Sequence, residues 1–147
     1  MNNYFNEKNL HSIDSKGRIL LPKEIRDHLR IKKGDVLHLV PNLSGPLYIE
    51  IRTAAQWKDY RAGLRDLEAG EKKKDSFRYA TMLQETATVD GQGRVLLPQR
   101  IRDLCKVDDS VAVIDMDEYV EVWAKASLEQ KYSDMVKAFK ELNDRMF

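Results

Sequence analysis

The sequence has one cysteine in 147 residues, so no disulfide can brace it within the chain, and a thiolate metal site would need other ligand types around Cys105. Histidine is almost as scarce, and His11, His28 and His38 fall at no metal-ligand spacing. Cys105 lies in an apolar-periodic stretch and is read as a buried packing residue. No apolar run approaches the roughly 20 residues that a membrane-spanning helix needs. Met1 to Asn6 lacks a charged segment followed by an apolar one, so no secretory signal is expected and the chain is placed in the cytoplasm. Excess charge is missing too: 25 Lys and Arg stand against 24 Asp and Glu, a formal net charge of +1. Binding a polyanion requires local positive potential rather than a positive total, so the distribution of charge has to decide that question. No nucleophile–base set or metal-ligand cluster is found. Asp90-Gly91-Gln92-Gly93-Arg94 lacks the glycine spacing of a nucleotide-cradling loop. The chain is therefore read as a non-enzyme with no cofactor, no metal and no small-molecule substrate.

The chain does contain one motif twice. Residues 13–31 (IDSKGRILLPKEIRDHLRI) and 89–107 (VDGQGRVLLPQRIRDLCKV) align without a gap at an offset of 76, with nine of nineteen positions identical. Asp14-Ser15-Lys16-Gly17 and Asp90-Gly91-Gln92-Gly93 are turn chemistry. The aspartate can bond its own downstream backbone, and glycine supplies the positive φ that a tight hairpin needs. Short strand-like runs flank each turn, 10–13 and 19–21 in the first copy, 87–89 and 95–97 in the second. Pro22 and Pro98 end those strands and suit the start of a helix. Short helices are expected near 23–30 and 99–106, with Ile25/Leu29 and Ile101/Cys105 turned inward. Two further strands close each copy, at 36–40 and 47–51 and at 111–114 and 119–123.

An amphipathic helix trails each copy. Thr53…Gln56 and Ser127…Gln130 both carry capping-box spacing. Trp57, Tyr60, Leu64 and Leu67 form one apolar stripe; Leu128, Tyr132, Met135, Phe139 and Leu142 form the other. Both stripes are read as core or subunit packing rather than base-stacking platforms. The expected fold is α+β: two tandem pseudo-symmetric β-rich modules, each with a short helix and a trailing helix. The first module with its helix takes residues 1–68, a charged linker 69–76, and the second module with its helix 77–147. Short strands with few local partners leave sheet edges open, and pairing with another copy of the module, within or between chains, covers them.

The pattern Asp-x-x-Gly-Arg followed by two apolar residues and Pro resembles the swapped-hairpin DNA-binding superfamily that includes AbrB and SpoVT. Its tandem occurrence, each copy trailed by a helix, with Phe77-Arg78 ahead of the second copy and Glu121-Val122-Trp123 closing it, is similar to the MraZ family. That resemblance covers nearly the whole chain. It implies exchanged hairpins, a nucleoid-associated transcriptional regulator, and a ring homo-oligomer. It also implies binding to short repeated sites in the promoter of a division and cell-wall gene cluster that includes the regulator's own gene. The chain differs from the family pattern in its N-terminal lead-in and in its longer 41–46 connection.

Charge placement bears on how double-stranded DNA would be engaged. Residues 16–33 hold seven basic and two acidic side chains, whereas 92–109 hold four and three. The candidate DNA-binding residues are Lys16, Arg18, Lys23, Arg26 and Arg30 in the first copy and Arg94 and Arg102 in the second. Lys23, Arg26 and Arg30 share one helical face by their spacing, and Lys32 and Lys33 add general attraction. Asp14, Gly17, Pro22, Asp90, Gly93 and Pro98 are the structural turn residues. Arg18 and Arg94 have an alternative employment, pairing with Asp14 and Asp90 to hold the turns, and Arg26 and Arg102 have one as locally paired surface residues. On charge alone the first copy faces DNA and the second is chiefly architectural. The rival reading is a non-catalytic assembly or antitoxin-like module that uses the basic face for acidic proteins.

Overall fold

The elements follow the expected order, with one helix added between the two modules. The computed structural model describes residues 10–67 and 69–146, so the lead-in before Leu10 and the boundary position Glu68 lie outside the described residues. The first half contains β1 (Leu10–Ser12), β2 (Arg18–Leu20), α1 (Lys23–Leu29), β3 (Val36–Asn42), β4 (Tyr48–Arg52) and α2 (Ala54–Arg65). A helix α3 (Glu71–Leu83) leads into the second half. There follow β5 (Glu85–Thr88), β6 (Arg94–Leu96), α4 (Gln99–Leu104), β7 (Ser110–Asp115), β8 (Val120–Ala124) and α5 (Lys125–Met146). The fold is α+β, built from two tandem modules.

Each turn reverses the chain, but the strands on its two sides form no ladder with each other. Instead β2 pairs antiparallel with β6, Ile19 opposite Val95. Likewise β1 crosses to β7 of the second half, and β5 crosses to β3 of the first. The other strands complete a six-stranded antiparallel sheet in the order β1-β7-β8-β4-β3-β5, joined at its centre by β4 and β8. A strand's side chains alternate between faces. Ile19, Leu21, Val95 and Leu97 are therefore fully buried between the ribbon and the large sheet, while Leu20 and Leu96 point outward. One core cluster takes Leu37, Leu39, Ile49 and Ile51 from the first half and Ile101, Val111, Val120 and Val122 from the second. Each such side chain contributes about 1.5–3 kcal/mol by leaving water. Neither half keeps this core without the other.

Local signals behave as their chemistry predicts in most places. Pro22 and Pro98 stand at the N-caps of α1 and α4 with φ of −53° and −56°, where a missing amide hydrogen costs nothing. Cys105 is fully buried, its thiol donating to the Tyr48 carbonyl at 3.4 Å, and burial pushes its pKa up to about 11. Ahead of α2 the capping box is complete: the Gln56 amide donates to Thr53 Oγ1 and the Thr53 amide to Gln56 Oε1, at 3.1 and 3.0 Å.

The other expected box does not form, because β8 runs straight into α5 and leaves Ser127 inside the helix rather than at its cap. The charged segment 69–76 is likewise no simple linker, since α3 starts at Glu71 with Gly70 as its N-cap. Ala80 of α3 packs with Val40 and Trp57 in a small satellite cluster, joined by Tyr60. Leu67 falls beyond the end of α2 and is exposed. Along α5, Leu128 packs with Ala112 and Trp123, but Phe139, Leu142 and Met146 stand in the open.

The halves are also tied by ionic contacts. In the central pair, β4 and β8, Glu50 lies directly opposite Glu121, an arrangement that is unfavourable without compensation. Arg52 donates to Glu50 at 2.8 Å and lies between the Tyr60 and Tyr119 rings, while Tyr119 and Trp123 donate to Glu121. At the surface His28, at the end of α1, meets the β7–β8 turn. Its Nδ1 is 2.6 Å from Asp115 and its Nε2 3.5 Å from Asp117.

Hydrogen bonding and attraction by Asp115, helped by Asp117, raise the His28 pKa above its ordinary 6.5. The protonated ring is then favoured by folding, so its contribution is complete below the unfolded-state value and is lost as pH rises through the higher folded-state value. Urea midpoints measured from about pH 5 to about pH 9 should fall over that interval in the parent protein, and the fall should be smaller in His28→Gln. Identical profiles for the two proteins would exclude an ionic role for His28.

Candidate nucleic-acid interface

Both turns are held by one carboxylate. Asp14 Oδ1 accepts from the amides of Lys16 and Arg18, each at 2.9 Å, and Oδ2 accepts from Arg18 Nε at 2.8 Å. Asp90 does the same with the amides of Gln92 and Arg94 and with Arg94 Nε. The Arg94 amide, then its guanidinium and the Gln92 amide, pull the Asp90 pKa down to about 2; the Arg18 amide heads the same set of causes at Asp14. The pairing alternative for Arg18 and Arg94 is thus realised. It uses Nε, and among the described residues no partner engages their terminal guanidinium nitrogens.

The glycines that complete the turns are buried, although turns are usually exposed. Gly17 and Gly93 have φ of +87° and +84°, a region that costs an L-residue roughly 1–2 kcal/mol. A guanidinium also lies across each of them, and it comes from the other repeat. A Cβ on Gly17 would stand 2.6 Å from Arg102 Nη2, and one on Gly93 2.7 Å from Arg26 Cζ. Arg26 Nε donates to the Leu21 carbonyl at 2.9 Å and Arg102 Nε to that of Leu97 at 2.8 Å. Backbone bonds make the same crossings, from the Leu21 amide to the Gly93 carbonyl and from the Leu97 amide to the Gly17 carbonyl.

Arg26 and Arg102 thus join α1 to the second turn and α4 to the first. Their half-buried guanidiniums lie over glycines rather than on an open helical face. The expected face of Lys23, Arg26 and Arg30 is divided among three employments. Lys23 is exposed and paired with Asp27 at 2.8 Å, Arg26 reaches the second turn, and Arg30 is not helical but caps α1 at φ 57°. Lys16 projects from the first turn and is exposed.

Exchange also redistributes the charge counted along the chain. Ser12 faces Ser110, whereas its repeat counterpart Thr88, 76 residues later, faces Val36. Ser110 is therefore equivalent to Val36, only 74 residues on, and the connection after the short helix is two residues longer in the first copy. Lys32-Lys33-Gly34-Asp35 stands where the second copy has Asp108-Asp109. The longer connection reaches the second turn: the Gly34 amide donates to the Val89 carbonyl, the Val89 amide to the Asp35 carbonyl, and the Lys33 side chain passes 3.7 Å from where a Cβ on Gly91 would stand. Beside the first turn lies the acidic connection, with the Ile13 amide donating to the Asp109 carbonyl at 2.9 Å. Lysine from the first repeat thus stands at the turn of the second, a neighbour that no local sequence signal indicates.

These features define a class: an exchanged-hairpin protein of two repeats whose paired turns flank a two-stranded ribbon. The family model described as "MraZ protein, putative antitoxin-like" matches residues 4–78 and 82–147, and the chain belongs to that family. Similar proteins include one named Transcriptional regulator MraZ from Acetivibrio thermocellus, 31% identical over 125 residues, 84% of this chain and 83% of the other. Proteins of the same name from Thermoanaerobacter sp. (strain X514) and Desulforamulus reducens are 28% and 27% identical over 137 residues, 92% of each chain.

The crossed contacts predict coupled stabilities. Gly93→Ala should destabilise by about 1–2 kcal/mol through its φ alone, with an added cost for displacing Arg26. In an Arg26→Ala background that added cost should vanish, giving a coupling of about 0.5 kcal/mol or more by urea denaturation. Strictly additive losses would show that Arg26 does not rest on the second turn.

Proposed function

We propose that this chain is a DNA-binding transcriptional regulator, not an enzyme, and that both of its exchanged turns meet the duplex. The observation carrying this reading is the position of Arg18 and Arg94. They lie on the outward face of the β2–β6 ribbon, each held through Nε with its terminal nitrogens uncommitted among the described residues. A two-stranded ribbon fits the major groove, and an arginine fork matches the O6/N7 edge of guanine. Lys16, Lys23 and Lys33 supply phosphate contacts that position the protein without reading sequence. Arg26 and Arg102 act as positioning residues that hold the turns, and Arg30 adds charge from the end of α1. Because Lys33 serves the second turn, the second repeat is a DNA-facing partner rather than chiefly architectural. The family resemblance extends the reading to repeated promoter sites of a division and cell-wall gene cluster.

Assembly as a ring homo-oligomer fits the same reading. Met135, Phe139, Leu142 and Met146 recur along α5 at helical spacing and are 40–73% exposed, a stripe that a second copy would cover. Several subunits on repeated sites gain affinity multiplicatively when their spacing matches.

A fluorescence-anisotropy titration with duplexes selected from random sequence should show affinity falling steeply with salt. Arg18→Ala and Arg94→Ala should each weaken binding and relax sequence preference, by about 1–3 kcal/mol, and Lys33→Ala should weaken all sequences alike. Binding that is insensitive to salt would sink the reading. Light scattering should report a mass several times the 17.1 kDa chain, with Phe139→Glu and Leu142→Glu together shifting it downward. A stable monomer at micromolar concentration would overturn the oligomeric part.

A further inference from the structure

Two leucines on the ribbon belong to no core cluster among the described residues. Leu20 and Leu96 occupy equivalent positions in the two repeats and are 49% and 45% exposed, although Ile19, Leu21, Val95 and Leu97 on either side of them are fully buried. In the register of the ribbon, Leu20 lies opposite Arg94 and Leu96 opposite Arg18. Residues directly opposite one another in an antiparallel pair share a face, and so do residues two apart along a strand. Arg18, Leu20, Arg94 and Leu96 therefore form one outward patch in which leucine and arginine alternate. Each leucine has an arginine beside it along its own strand and another across the ladder.

An apolar side chain flanked by guanidiniums fits a surface that is itself anionic with apolar points upon it. The major groove of DNA is such a surface. Its edges and phosphates attract arginine, and the only apolar group it displays is the 5-methyl of thymine, next to the O4 acceptor. A second copy of this chain, meeting the patch through the same face, is a poorer occupant, since it would bring two more guanidiniums against the two already there with no acid between them. We propose that Leu20 and Leu96 contact thymine 5-methyl groups in the major groove, so that each half of the ribbon reads one methyl beside the base edge taken by its arginine. This rests on the DNA-binding reading above and adds to it a source of specificity that does not depend on hydrogen bonds.

The test replaces thymine by deoxyuridine, which removes the methyl and leaves base pairing unchanged. Duplexes obtained by selection against the full-length protein are titrated with every thymine intact and then with thymines substituted one at a time. At one or two positions per bound ribbon, the substitution should weaken binding about fourfold, the equivalent of one buried methyl group. Leu20→Ala should bind the intact duplex more weakly and lose the response to deoxyuridine at one position, Leu96→Ala at another. Leu20→Met, which keeps apolar contact, should restore it. Light scattering on each variant shows whether assembly is intact, so that a lost subunit contact is distinguished from a lost base contact.

Tight, salt-sensitive binding that is equal for thymine and deoxyuridine at every position would overturn this proposal while leaving the DNA-binding reading standing. So would a deoxyuridine response that survives both alanine substitutions. If no selected duplex binds in a salt-sensitive way, the DNA-binding reading falls and this proposal falls with it.

Discussion

The exchange of strands between the repeats is the constraint on which the rest of the structure depends. A three-residue strand such as β2 is too short to stand alone, and its own turn partner β1 is committed to β7. The ladder of β2 is therefore completed only by β6. Because Ile19 and Val95 are also buried opposite one another, hydrogen bonding and apolar burial impose the same pairing. A slip by one residue would turn Leu20 and Leu96 inward and the buried pair outward. Register, core and exchange are thus one constraint, and the tandem repeat allows a single chain to meet it.

From the exchange follows the geometry of the turns. A glycine is needed at each for its positive φ, and the same lack of a side chain admits an arginine from the other repeat. That arginine uses its Nε on a strand-end carbonyl and its flat guanidinium on the glycine. Lysine, a point charge on a flexible stem, supplies neither the directed Nε–H nor the plane. The identity of Arg26 with Arg102 and of Gly17 with Gly93 in the aligned repeats therefore has a physical cause that does not involve nucleic acid. It also explains why simple helical spacing misassigns Arg26 to an open face.

What was legible in the chain is what depends on near neighbours. The turns, the proline-started helices, the alternating strands and the Thr53 capping box are each written within a few residues, and their boundaries shift by only one or two positions. The Ser127 spacing is equally local, but a cap requires a helix that begins there, and the uninterrupted passage from β8 into α5 removes that condition. Residues 69–76 read as a linker because their charges are visible while their reason to be helical, packing by Ala80 beneath Trp57, lies further along and across. Lys33 over Gly91, Arg102 over Gly17 and His28 against Asp115 join residues 58 to 87 positions apart. Only the exchanged topology brings them together.

Charge shows most clearly what the exchange does. Counted along the chain, the first repeat is basic and the second nearly neutral, which suggests one active and one passive copy. Exchange places the lysine-bearing connection of the first repeat against the turn of the second, and the acidic connection of the second against the turn of the first. The turn already furnished with Lys16 and Arg18 thereby receives Asp108 and Asp109, and the turn with only Arg94 receives Lys33. The positive excess that the chain carries on its first repeat is thus shifted in space toward the turn of the second, which supports the proposal that both turns meet the duplex. The ion pairs at Asp14 and Asp90 do not oppose this. By fixing Nε they leave fewer rotamers to be lost on binding, and an arginine held in place gives up less entropy per contact than a free one. On the proposed DNA-binding reading, holding the turn and presenting the guanidinium are two uses of one side chain.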